Sequence, residues 1–176
     1  MTAPQLARMM DESLEDSTAW FNAMVPAFDK AQINTPLRIA HCWAQLAHES
    51  NRLRWLEEKA SGAAYEGRKD LGNVQAGDGM RFKGRGPIQI TGRSNYAALS
   101  KWCGVDLVKN PERLALEKTL GMMAVGWYWD TRKLNAYADQ DNILTITKRI
   151  NGGLNGIDGR RAYLDKAKAI LWKIPA

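Results

Sequence analysis

At 176 residues, with 45% hydrophobic and 25% charged residues, the chain has the size and balance of one globular domain over residues 1–176, which excludes a disordered or fibrous protein. Lys and Arg number 25 against 19 Asp and Glu, a net charge of +6 that favours an anionic partner: nucleic acid, a lipid surface or an acidic polymer such as a bacterial wall. The cysteines are Cys42 and Cys103 and the histidines His41 and His48, with no CxxC, HExxH or HxH spacing, so no metal or other cofactor is expected.

The N-terminus, MTAPQLARMMDESLED, is polar and acidic and lacks a run of seven apolar residues. The expectation is synthesis in the cytoplasm without a signal segment. A first short helix follows Thr2, with Pro4 in its first turn. A second begins near Ser17 and carries Trp20, Phe21, Met24 and Phe28 at helical spacing, with Pro26 expected to kink or shorten it. Thr35-Pro36 pairs an N-cap with proline at the first helical position and opens a helix to about Ser50. From Glu57 to Gly86 periodicity gives way to frequent glycine, read as loop with a short hairpin, its strands at Arg81 to Lys83 and Pro87 to Thr91. Helices return at Ser94 to Cys103, Lys118 to Arg132, Asn142 to Ile150 with Asp141 as cap, and Gly159 to Trp172 with Asp158 as cap. Both cysteines fall in apolar helical surroundings and read as free thiols.

On a helical wheel the third helix gathers Arg38, His41, Gln45, His48 and Glu49 within about 100° of arc, and apolar residues fill the rest. That pattern fits a core helix with one wet face, or a stripe flooring a cleft. Glu49 sits in the last turn, where the helix dipole and partial burial both favour a protonated carboxyl, the form a general acid needs. Glu58, nine residues on and preceded by Glu57, could face it across a cleft at the roughly 6.5–9.5 Å used by inverting glycosidases. Glutamates at that spacing are common by chance.

Several segments together carry more. Ala47-His48-Glu49-Ser50, Ala64-Tyr65-Glu66-Gly67-Arg68, the run from Lys83 through Gly84-Arg85-Gly86-Pro87-Ile88-Gln89 to Tyr96, and Ile150-Asn151-Gly152-Gly153 occur in this order. Over roughly residues 35–165 the chain resembles family 19 glycoside hydrolases, and within them the short phage endolysins more than the secreted plant chitinases. The resemblance implies a lysozyme-like fold, mostly α with a small β-hairpin, in two lobes around a central substrate cleft. It makes Glu49 the general acid and Glu58 the general base of an inverting hydrolysis, with Glu57 the competing candidate for base. It places Thr91 where a hydroxyl helps hold the attacking water, and Gln89, Asn95, Tyr96 and Asn151 at sugar-binding positions. Arg160, or the adjacent Arg161, matches an arginine that organises the two carboxylates.

The residues agree with this reading. Ile88 and Ile90 alternate with Gln89 and Thr91, so a strand would bury the isoleucines and aim an amide and a hydroxyl outward, the neutral groups that sugars need. Asn151-Gly152-Gly153 also reads simply as a left-handed helix C-cap. Trp43, Trp127 and Trp129 lie in apolar helices and read as core, whereas Trp55 could stack on a sugar. The last helix, with Arg160, Arg161, Lys166, Lys168 and Lys173, could touch an anionic outer membrane but more simply packs on the core. Two cysteines cannot reproduce the disulfides of plant members, the glutamates are closer in sequence, and Lys83 replaces an aromatic; these departures favour peptidoglycan over crystalline chitin.

The expected function is therefore that of a monomeric endolysin cutting β-1,4 bonds of bacterial peptidoglycan in the periplasm or wall, reached from the host cytoplasm through a membrane-permeabilising partner. A chitinase and a non-catalytic basic wall- or nucleic-acid-binding protein are the alternatives. No zinc finger, RNP motif or Lys/Arg run supports nucleic acid as a partner.

Overall fold

The computed structural model describes residues 1–172. In chain order it contains α1 (Ala3–Met10), α2 (Leu14–Lys30), α3 (Pro36–Glu49), single turns of 3-10 helix at Ala63–Tyr65 and Lys69–Leu71, and α4 (Asp78–Arg81). There follow α5 (Arg93–Cys103), α6 (Arg113–Leu116), α7 (Lys118–Thr131), α8 (Asn135–Ala138), α9 (Ile143–Asn151) and α10 (Ile157–Leu171). The chain is mostly helical, as its periodicity predicts. The core joins α1, α2, α3, α7 and α10, with Trp43 and Trp129 almost wholly enclosed and Trp127 buried beside them. Cys42 is buried and Cys103 half-buried, both as free thiols. Lys173, counted with the last helix from sequence, lies outside the described residues.

Three helix starts differ from the sequence reading, each because a side chain finds a different partner. α2 begins at Leu14, since Ser13 accepts the Asp16 N–H and caps it, while Ser17 is buried one turn inside. α9 is capped by Asn142, whose side chain accepts from Thr145 N–H; Asp141 is unavailable because its carboxylate holds His41 and Lys168. α10 begins at Ile157 after Gly156 in the left-handed region, and the Asp158 side chain stays in solvent. Pro26 neither breaks nor shortens α2. Proline inside a helix costs about 3 kcal/mol; here Pro26 and Asn22, four residues back, are both exposed, on the solvent side of the helix. Thr35 caps α3 as expected.

The predicted hairpin shrinks to isolated antiparallel pairings of Arg85 with Ile90 and with Glu57. Between Arg85 and Ile90 the chain turns tightly, with Gly86 at φ 78° and Gln89 at φ 51°. Gln89 is thus left-handed rather than extended, which ends any strand. The alternation survives nonetheless: Ile88 and Ile90 are buried, while Gln89 and Thr91 are half-exposed.

Candidate active site

The polar stripe of α3 does not floor a cleft along its length. His41 is fully buried with Nε2 2.7 Å from Asp141, Gln45 is buried between Arg160 and Thr147, and Arg38 is paired with Asp139. The stripe is a polar seam joining α3 to the segments around α8–α10. At its end the half-buried His48 ring packs against Gly156, where an added Cβ would lie 2.2 Å from ring atoms, so only glycine admits this approach. At the end of the stripe, Glu49 reaches a cavity.

That cavity, about 370 Å³, is lined by Glu49, Trp55, Glu57, Glu58, Lys59 and Gln89. Glu49 projects from the end of α3, and its Oε1 accepts a 2.6 Å bond from Arg160 Nη2. Arg160 is 1% exposed; its Nη1 donates to Gln45 Oε1 at 2.6 Å and its Nε to the Asn155 carbonyl at 3.4 Å. A buried guanidinium needs an anion, and Glu49 supplies it. Arg161 is instead exposed and lies 3.7 Å from Asp158, so Arg160 is the arginine at the site. It reaches Glu49 only, and Glu58 is held by other groups.

Glu58 lines the same cavity. Its Oε1 accepts the Gly84 N–H at 2.6 Å and its Oε2 the Tyr65 hydroxyl at 3.0 Å. Burial and then the Glu58 carboxylate push the Tyr65 phenol up, so Tyr65 remains a donor. Backbone bonds between Glu58 and Gly84 tie this wall to the glycine-rich segment. Gly84 is where the site closes: a Cβ there would lie 2.8 Å from Gln89 Oε1, 3.3 Å from Thr91 Oγ1 and 3.4 Å from Glu58 Cδ. Gln89, Thr91 and Glu58 therefore converge over one bare backbone unit, with Thr91 Oγ1 donating to the Gln89 carbonyl.

Glu57 is otherwise engaged. Its carboxylate accepts from Arg85 at 2.9 Å and lies 3.2 Å from Lys83; against the burial that would raise it, these bonds hold it below the usual carboxylate range. An acceptor committed to two cations is a poor proton acceptor, which leaves Glu58 as the base candidate.

The sugar-binding positions separate. Gln89 lines the cavity. Asn95 stands behind it, its amide donating to the Thr91 carbonyl at 2.7 Å. Asn151 is exposed at the end of α9, donates to the Asn155 carbonyl at 3.4 Å and is followed by Gly152 in the left-handed cap. Neither lines the cavity. Tyr96 is a correction: its side chain is fully buried, donating to the Lys83 carbonyl and accepting from Arg85, and burial pushes its phenol to about 12. It braces residues 83–85 from behind and cannot touch a sugar. Trp55, 60% exposed, is on the cavity wall where a sugar could stack. Tyr65 had no role from sequence, because its contact with Glu58 closes a loop that periodicity does not describe.

Residues 39–145 match the model of glycoside hydrolase family 19, described as chitinase class I. The chain belongs to glycoside hydrolase family 19. A Haemophilus influenzae protein carrying a glycosyl hydrolase family 19 domain is 45% identical over 96 residues, covering 54% of this chain and 46% of that one. An endochitinase of Arabidopsis thaliana is 35% identical over 141 residues, 75% of this chain and 48% of the relative. The chain thus spans about half the length of the curated relatives it matches. Its fold is shared with a bacterial family 19 chitinase at a TM-score of 0.81 and 20% identity, covering 99% of this chain and 96% of that one. Chitinase C of Streptomyces griseus superposes at a TM-score of 0.75 and 22% identity, over 97% and 76% of the two chains.

Proposed function

We propose that this family 19 protein is an inverting glycosidase acting on the β-1,4 glycan of bacterial peptidoglycan, as a phage-type endolysin does. What carries the reading is that Glu49 and Glu58 line one cavity with unlike surroundings. Glu49 Oε1 is occupied by Arg160, and among the described residues no protein group bonds Oε2, which leaves that oxygen to carry a proton to the leaving glycosidic oxygen. Glu58, which accepts from Tyr65 and Gly84, takes the proton of a water that attacks the anomeric carbon from the other face. Thr91 and Gln89, converging on the same spot, would hold that water and the adjacent sugar. Bond-making on one face and bond-breaking on the other invert the anomeric centre.

The positive net charge and the short path between the two glutamates support peptidoglycan. In the endolysin reading the enzyme reaches the wall as a monomer through a separate membrane-permeabilising partner. A chitinase acting on N-acetylglucosamine oligomers is the second reading, favoured by the names of the plant and bacterial relatives. Release of reducing ends from purified sacculi, measured beside release from soluble chitin oligomers, separates the two. Glu49→Gln and Glu58→Gln should each lower the rate about 10²–10⁴-fold. Undiminished lysis by a folded Glu49→Gln protein would sink the mechanism.

A further inference from the structure

Charge is nearly balanced at the cavity wall. Glu49 is matched by Arg160, and Glu57 by Arg85 and Lys83. Lys59 remains over: it lines the cavity next to the base, and among the described residues it has neither a carboxylate nor a hydrogen-bond partner. A second cation, Arg132 at the end of α7, stacks on the Tyr128 ring at 3.4 Å and lies 6.0 Å from the Trp127 ring. It makes a 3.5 Å contact to Thr131 Oγ1, and no carboxylate meets it among the described residues. Tyr128 fixes where this guanidinium stands. Its hydroxyl donates to the Ile150 carbonyl, next to Asn151, and its phenol, pushed up first by burial, feels both Arg132 and the Glu49 charge.

We infer that the cleft takes an acidic glycan strand, with Lys59 and Arg132 reading carboxylates carried by the substrate at its two ends. This rests on the peptidoglycan reading and deepens it. A chain of N-acetylglucosamine offers no anion, whereas peptidoglycan carries peptide stems with free carboxylates on alternate sugars. Arg132 is suited to such a contact, since stacking on Tyr128 preorganises its planar fork, which can meet a carboxylate with two parallel bonds. Lys59, exposed and flexible, supplies a less directional charge.

The test compares native sacculi with sacculi whose carboxyls have been converted to neutral amides by carbodiimide coupling. The readout is the ratio of kcat/KM on the two substrates. Lys59→Gln should lower that ratio about two- to fivefold and Arg132→Gln about tenfold, both through KM, while Lys59→Arg retains most of it and Arg132→Lys, lacking the planar fork, restores only part. Arg8→Gln removes one positive charge from α1, which contributes nothing to the cavity wall, and should leave the ratio unchanged. Hydrolysis of native sacculi with a ratio that neither glutamine variant moves, or that Arg8→Gln moves equally, would overturn the inference and leave the peptidoglycan reading standing. No hydrolysis of either form of sacculus by the unaltered protein would remove that reading itself.

Discussion

Glu49 and Glu58 are chemically alike, and the difference between their roles is made by what each touches. A buried arginine occupies one oxygen of Glu49, and two neutral donors occupy both oxygens of Glu58. Tyr65→Phe removes one of those donors while preserving the ring. Its loss should cost about tenfold in kcat and barely change Tm. An unchanged kcat would show that Tyr65 merely fills space. Glu49→Gln has a structural cost as well as a chemical one, because it keeps an acceptor for Arg160 but removes the counter-charge. A loss of about 1–3 kcal/mol in stability is expected by denaturant titration, with the helical spectrum intact. The two glutamates stood out in the chain because their motifs are local, and the structure adds that Glu57 is paired with Arg85 and Lys83. The role of Tyr96 was not legible: a tyrosine one turn into a helix reads as a ligand contact until its burial behind Lys83 and Arg85 is seen.

Among the elements, the α3–α10 seam carries Glu49 and its partner Arg160. Sequence periodicity identified the stripe on α3 correctly but not its occupant, since a wheel reports which residues share a face and is silent on what packs there. His41 shows the consequence. Burial holds its imidazole below the ordinary value of 6.5, against the opposing pull of Asp141, so the folded state keeps it neutral where the unfolded chain would protonate it. His48 is shifted the same way by burial, then by Arg160. Both therefore contribute stability that is present above pH 6.5 and is lost as pH falls below it. Thermal unfolding should show Tm declining from pH 7 towards pH 5.5, and His41→Gln should flatten that decline. A Tm that rises over the same interval would contradict the assignment. The glycine-rich segment makes the complementary point. The alternation of Ile88 to Thr91 predicted which side chains face outward, although a left-handed Gln89 removes the strand itself. Side-chain orientation depended on burial of the isoleucines, and strand formation on a ladder that the turn interrupts.

At the scale of the whole molecule, a net charge of +6 acts at a distance that the cavity does not. It should raise the local concentration of enzyme on an anionic wall, an effect screened beyond about 8 Å at physiological salt. Initial rates on sacculi should therefore fall steadily as ionic strength rises from low salt, while rates on a short neutral oligosaccharide change little; equal salt sensitivity on both would assign the charge no part in finding the wall. The helical architecture was legible because amphipathic periods and caps are written locally. The meeting of α3, the Glu58 loop and the Gly84 turn was not, because it depends on long-range contacts through Gly84 and Gly156 that only the folded chain supplies. The proposed reaction adds water across a β-1,4 bond of peptidoglycan, and mass spectrometry of sacculi digested in ¹⁸O-labelled water reads that addition at the bond itself. Fragments with one ¹⁸O at each new reducing end are expected; unlabelled 1,6-anhydro ends, or no glycan fragments, would contradict hydrolysis of the wall.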